Sequence, residues 1–121
     1  MSSPARQTAV HDLVIDVRVE GARRRLVLAG ELDLASSWTL VDAVSQACAD
    51  GAKDLVLDIG ALDFIDSTGL RAMLSCRAIC AESGCALGLA PEADRIRPQV
   101  RRLFQVTGLL ERLPFTEPGT D

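Results

Sequence analysis

The chain has 121 residues, 48% apolar and 25% charged, with 13 basic against 17 acidic side chains and a formal charge of −4. That length suits one domain around one core, and the composition is neither disordered nor collagen-like. Mild acidity argues against a nucleic-acid or anionic-membrane binder, and four aromatics (Trp38, Phe64, Phe104, Phe115) give bases no platform to stack on.

Met1 to Asp12 lacks the apolar stretch of a signal peptide, and no apolar run reaches the ~20 residues that span a bilayer. A soluble cytoplasmic domain is expected, with residues 1–12 as a flexible leader. Leu13 to Val19 alternates apolar and polar residues, as a strand does. Gly21-Ala22 reads as a turn into a second strand, Arg24 to Ala29, which Gly30 is expected to break. The acidic loop Glu31-Leu32-Asp33 follows, with Ser36 or Ser37 as helix cap. Leu40, Val41, Val44, Ala47 and Cys48 then recur as one helical stripe, ended by Asp50-Gly51.

Asp54 to Ile59 has the near-continuous apolar run of a strand covered on both faces. Residues Gly60 to Asp66 are expected to form a loop, and a second helix to run from Ser67 to Ser83-Gly84. Its predicted stripe is Leu70, Met73, Leu74, Ala78 and Ala81, with Cys80 beside Met73 and Arg77 inside the arc as a snorkelling side chain. Cys85 to Leu89 reads as a fourth strand ended by Ala90-Pro91. Pro98 suits the first turn of a third helix, with Val100, Leu103 and Phe104 inward and Gly108 closing it. Leu109-Leu110 is expected to pack back, Arg112 to Phe115 to form an edge strand, and residues 116–121 to fray. The predicted class is α/β, one domain over residues 13–115 with a mixed sheet of four to five strands backed by helices.

Cys48, Cys76, Cys80 and Cys85 form no CxxC, and His11 is the lone histidine, so no zinc spacing is visible and no metal or cofactor is expected. Cys76 and Cys80, four apart on a helix, stand too far apart for a disulfide. The four cysteines read as buried reduced thiols acting as small hydrophobes, with redox sensing as the alternative.

The segment with chemical content is Asp66-Ser67-Thr68-Gly69, delivered by a strand to the start of a helix. A hydroxyl there sits where backbone N–H groups lack partners and the helix dipole favours an added anion. A phosphate on Ser67 would add a charge of about −1.5 to −2 and is expected to rest on the N–H groups of Thr68 and Gly69. The residues alone favour the plainer reading of Ser67 as a helix cap, with Asp66 as the alternative cap, since Ser and Asp are common at helix starts.

Asp63-Phe-Ile-Asp-Ser-Thr-Gly-Leu70, led by Leu55-Val-Leu-Asp58, resembles the signature of the STAS domain family, nearest to its bacterial anti-anti-sigma factors. Leu28-Ala-Gly-Glu-Leu-Asp33 and Val100-Arg-Arg-Leu-Phe-Gln-Val-Thr-Gly-Leu109 resemble two further family stretches. The resemblance implies an anti-sigma factor antagonist rather than an enzyme. In its unphosphorylated state it would bind an anti-sigma factor that is also a serine kinase, releasing a sigma factor. Phosphorylation at Ser67, with Thr68 as second choice, would switch it off, and a serine phosphatase would reset it. The implied contact residues are Glu31, Asp33, Asp66, Ser67, Thr68, Gly69 and Leu70.

The alternative within the fold is a STAS subunit of a larger signalling scaffold or lipid-transport complex. Relatives often continue past Phe115 into a final helix; without it, weak homodimer formation is a further expectation. A receiver domain using Asp58 is excluded because no acidic pair follows Val19 and Lys53 is the lone lysine. A hydrolase built on Asp58, Asp63 and Asp66 lacks a base for Ser67. Arg95, Arg97, Arg101 and Arg102 form a basic group, read as a solvated face or a partner patch.

Overall fold

The computed structural model describes residues 13–91 and 95–108. In chain order the elements are β1 (Leu13–Glu20), β2 (Arg23–Leu32), α1 (Ser37–Ala49), β3 (Asp54–Ile65), α2 (Ser67–Ser83), β4 (Ala86–Ala90) and α3 (Pro98–Thr107). The sheet order is β1-β2-β3-β4, with β1 antiparallel to β2 and the other neighbours parallel. This is the mixed α/β sheet read from the sequence. The leader, Leu109-Leu110, the Arg112 to Phe115 strand and the tail lie outside the described residues.

Leu26 and Leu28 of β2 pair beside Leu57 and its neighbours on β3, and their side chains share one face of the sheet. There they join Leu40 and Val44 of α1 and Met73 and Cys76 of α2 in one buried cluster. Val56 of β3 is buried as well, on the opposite face, which accounts for the unbroken apolar run at Leu55–Leu57. In α3, Pro98 stands in the first turn, Val100 and Phe104 are buried, and Gly108 closes the helix at φ 71°.

Two strands run further than their sequence suggests. β2 passes through Gly30 to Leu32, and β3 runs through the expected 60–66 loop to Ile65. The pairing Val27 to Asp58 steps to Ala29 with Ala61, and Gly30 with Leu62 steps to Glu31 with Phe64. Each step puts an extra residue in β3, a bulge that breaks the period of two. Gly30 takes φ 102°, which suits an irregular ladder rather than ending it. At the first bulge the Gly60 N–H donates to Asp58 Oδ1 at 3.1 Å.

The buried face of α2 is also rotated from the predicted stripe. Gly69, Leu70, Ala72, Met73, Cys76 and Cys80 are buried, whereas Ala78 and Ala81 are exposed. Small residues decide this: Gly69, Ala72 and Cys76 let the helix approach its neighbours, a signal that counting large apolar residues misses. Arg77 is exposed rather than half-buried.

Candidate functional site

The parallel strands β2 and β3 end side by side, with Glu31 opposite Phe64 and Leu32 opposite Ile65. Helices α1 and α2 both start from this end, and the predicted site residues gather there. Asp66 leaves β3 in an extended conformation and caps α2, its Oδ1 accepting the Gly69 N–H at 2.9 Å. Asp66 therefore makes the cap and Ser67 does not. Ser67 is exposed and Thr68 half-buried. The Gly69 N–H, expected to cradle a phosphate, is already occupied; of that first turn, the N–H groups of Ser67 and Thr68 have no partner within the helix.

Gly69 serves a different need. A Cβ on it would stand 2.5 Å from the Leu32 carbonyl oxygen and 2.8 Å from Ile65 Cγ1. The same carbonyl accepts the Asp66 N–H at 3.2 Å. The first turn of α2 is thus seated directly on the end of β2, with Gly69 and Leu70 buried and Ser67 turned outward.

Glu31 and Asp33 are half-buried and held by Ser36, the one buried polar side chain among the described residues. The Ser36 hydroxyl donates to the Glu31 carbonyl at 2.8 Å and accepts the Asp33 N–H at 3.0 Å. The Ser36 N–H in turn donates to Asp33 Oδ1 at 3.2 Å. Of the two expected caps, Ser36 takes the N-cap position of α1, but it makes no side-chain cap bond; its side chain fixes the acidic turn instead.

Three apolar side chains missed by sequence reasoning are exposed at this end: Leu34 at 73%, Trp38 at 67% and Phe64 at 44%. Helical periodicity carries a signal for Trp38, since two residues before Leu40 is ~200° around the helix from the buried stripe. The bulged register hides Phe64.

The other carboxylates do not converge. Asp58 accepts from Arg25 at 3.1 Å, Asp63 pairs with Arg97 at 2.6 Å, and Asp66 holds Gly69. Arg25 and Asp58 line an open cleft of about 460 Å³ on the far face of the sheet, with Val27, Gly60, Ala61, Pro91 and Arg95. Among the described residues the one group of three or more possible metal-ligating side chains is Cys48, Cys80 and Cys85. All four cysteines are free, with Cys76, Cys80 and Cys85 buried. Burial pushes the Cys76 thiol up to about 12, helped by Cys48. Burial likewise raises Cys80 and Cys85 above the ordinary thiol value, again with Cys48 nearby.

A four-stranded mixed sheet, two helices starting beside its acidic end and a capped Asp-Ser-Thr-Gly turn define a STAS domain. The family model described as "Mlab, STAS domain" matches residues 15–114, and the chain belongs to that family. The proteins it is similar to include anti-sigma factor antagonists. The anti-sigma-B factor antagonist of Staphylococcus aureus is 26% identical over 110 residues, spanning 91% of this chain and 97% of that one. The crystal structure of an anti-sigma factor antagonist from Mycobacterium paratuberculosis superposes with a TM-score of 0.72 at 24% identity, covering 93% and 92% of the two chains. The Bacillus cell fate determinant SpoIIAA, in its phosphorylated form, gives 0.62 at 21% identity, covering 87% and 93%. STAS domains are regulatory modules, and this one is not an enzyme. Among the described residues no helix is long and apolar enough to cross a membrane.

Proposed function

We propose that this chain is an anti-sigma factor antagonist acting in the cytoplasm by partner switching. Unphosphorylated, it binds an anti-sigma factor that is also a serine kinase, so that the sigma factor is released; phosphorylation of Ser67 ends that binding, and a serine phosphatase restores it. The observation that carries this reading is the division of labour at the start of α2. Asp66 caps the helix, and Ser67 stands exposed beside it at the positive end of the dipole. Glu31 and Asp33 leave the same end of the sheet as Ser67, and in this reading they meet the partner together with Asp66, Thr68, Gly69 and Leu70, while exposed Leu34, Trp38 and Phe64 offer an apolar margin. Kinship with the S. aureus antagonist, and the existence of SpoIIAA in a phosphorylated form, support the assignment.

The physics of the switch is electrostatic. A phosphate ~6 Å from a partner carboxylate or nucleotide phosphate, at an effective dielectric of ~20, is repelled by a few kcal/mol. Each ~1.4 kcal/mol is tenfold in affinity. The gain at the helix terminus is smaller, about 0.3–1 kcal/mol. Phosphorylation therefore leaves the fold intact and weakens the interface.

The test is incubation with candidate anti-sigma kinases and ATP, location of phosphate by mass spectrometry, and comparison of binding by wild type, Ser67→Ala and Ser67→Asp. The expected result is phosphate on Ser67, lost in Ser67→Ala, with Ser67→Asp weakened in binding but less than the phosphoprotein. Phosphate persisting in Ser67→Ala would move the site to Thr68. No phosphate and no kinase binding would turn the reading to a scaffold or lipid-transport subunit.

A further inference from the structure

Helices α1 and α2 end in the same way. Gly51 and Gly84 take left-handed φ values of 92° and 72°. Behind them the Ala52 N–H donates to the Ala47 carbonyl, and the Cys85 N–H to the Cys80 carbonyl at 2.8 Å. This is the six-to-one bond of a Schellman ending, which commonly brings the two residues' side chains together. Cys85 is thereby folded back toward Cys80. Cys48, in the last turn of α1, meets the pair from the neighbouring helix.

The Sγ atoms of Cys48, Cys80 and Cys85 all lie within 4.8 Å of one another. Cys48 and Cys80, 32 residues apart, are at 3.8 Å. Two sulfurs on one ion, at a zinc–sulfur bond of ~2.3 Å and a tetrahedral angle, stand ~3.8 Å apart. Packed thiols also touch near that distance. The Schellman ending brings Cys85 to Cys80 and helix packing adds Cys48, so the three sulfurs together offer one ion more ligands than the two a disulfide uses. Cys80 and Cys85 are buried, while half-buried Cys48 gives an ion a way in.

The geometry points to a metal site: the three thiols bind one soft d¹⁰ cation, Zn²⁺ or Cu⁺, at the end of α2 remote from Ser67. Sulfur ligands without carboxylate or imidazole select soft ions over Mg²⁺ or Ca²⁺. Each thiol that coordinates gives its proton to solvent, and no electron is transferred. A divalent ion with three thiolates leaves a single negative charge, with a fourth position for water on the Cys48 side. Linear spacing hides this site, since no CxxC is present and Cys48 is brought in only by packing of α1 on α2.

The test uses the full chain, reduced and handled without oxygen. Zn²⁺ is titrated against a chromophoric chelator, Cu⁺ against a Cu⁺-specific one, and Mg²⁺ serves as the hard-ion control. The expected result is one equivalent of Zn²⁺ or Cu⁺ per chain, no Mg²⁺, and an upward shift in the unfolding temperature with the bound ion. The better competitor identifies the ion. Cys48→Ala, at a half-buried position, should keep the far-ultraviolet circular dichroism and lose at least about a hundredfold in affinity, beyond the ~10–100-fold of an outer-shell change. Cys76→Ala, which removes a thiol outside the trio, should bind as wild type. Failure of both soft ions to bind to folded protein, or equal affinity in Cys48→Ala, would overturn the site. So would a Cys48–Cys80 disulfide forming in preference to metal uptake when the reduced protein is offered both air and Zn²⁺.

Discussion

The carboxylate of Asp66 accepts the N–H of Gly69 at 2.9 Å, so the capping of α2 belongs to Asp66 and not to Ser67. In the proposed switch, stability and switching then fall to adjacent residues. Asp66→Ala is expected to lose about 1 kcal/mol, within the ~0.5–2 of a lost cap. Ser67→Ala is expected to change stability by less than about 0.5 kcal/mol, as for an exposed position. Urea unfolding of the two variants checks this, and an equal loss in both would return the cap to Ser67.

Gly69→Ala tests the seating of α2 on β2. The new methyl would meet the Leu32 carbonyl at 2.5 Å, a backbone atom that no side-chain rotation removes. The expected cost is at least about 1–3 kcal/mol, the range of overpacked cores. In an ordinary helix the same change is favourable by ~1 kcal/mol, so the sign alone decides the outcome in a thermal melt.

Ser36→Ala addresses the acidic turn. It removes two hydrogen bonds in a half-buried turn, those to the Glu31 carbonyl and from the Asp33 N–H. A loss of about 1–3 kcal/mol follows. If Glu31 and Asp33 meet the partner as proposed, the affinity for the anti-sigma kinase falls as well, measured by titration calorimetry at a temperature where the variant is folded.

The buried thiol of Cys76 gives stability a dependence on alkaline pH. Its folded-state pKa is raised, from 9.0 to about 12, so the folded protein favours the protonated form. That contribution is complete below about pH 9 and is lost as pH climbs through about 12. Denaturant midpoints measured across this window should fall more steeply for wild type than for Cys76→Ala. In alkylation at neutral pH, Cys76 should stay unlabelled until the chain unfolds.

The alternation of Leu13 to Val19, the stripe of Leu40 to Cys48 and the Gly84 and Gly108 stops were legible because each is a local pattern written in large apolar residues or glycine. What escaped depends on partners distant in the chain. The bulges after Asp58 and Leu62 shift the phase of β3, so Leu62 and Ile65 could not be recognised as strand residues by alternation. The rotation of α2 follows from Gly69 touching Leu32, a contact between residues 37 positions apart. At the candidate site the residue types and order were readable, but the roles of neighbours were not. Asp66 and Ser67 are both good caps in isolation, and only the seating of the helix chooses between them. The thiol trio was invisible for the same reason, since Cys48 lies a whole strand and helix away from Cys85.

Helix α2 carries Ser67 in its first turn and Cys80 near its last, thirteen residues or ~20 Å apart along a stiff rod. Screening in physiological salt extinguishes surface charge effects over ~8 Å. A phosphate at one end and a cation at the other would scarcely sense each other. Their effects on unfolding free energy should simply add, and the kinase-binding switch should keep the same ratio of affinities whether or not the far end is filled. Such a chain would hold two instructions at once without confusing them.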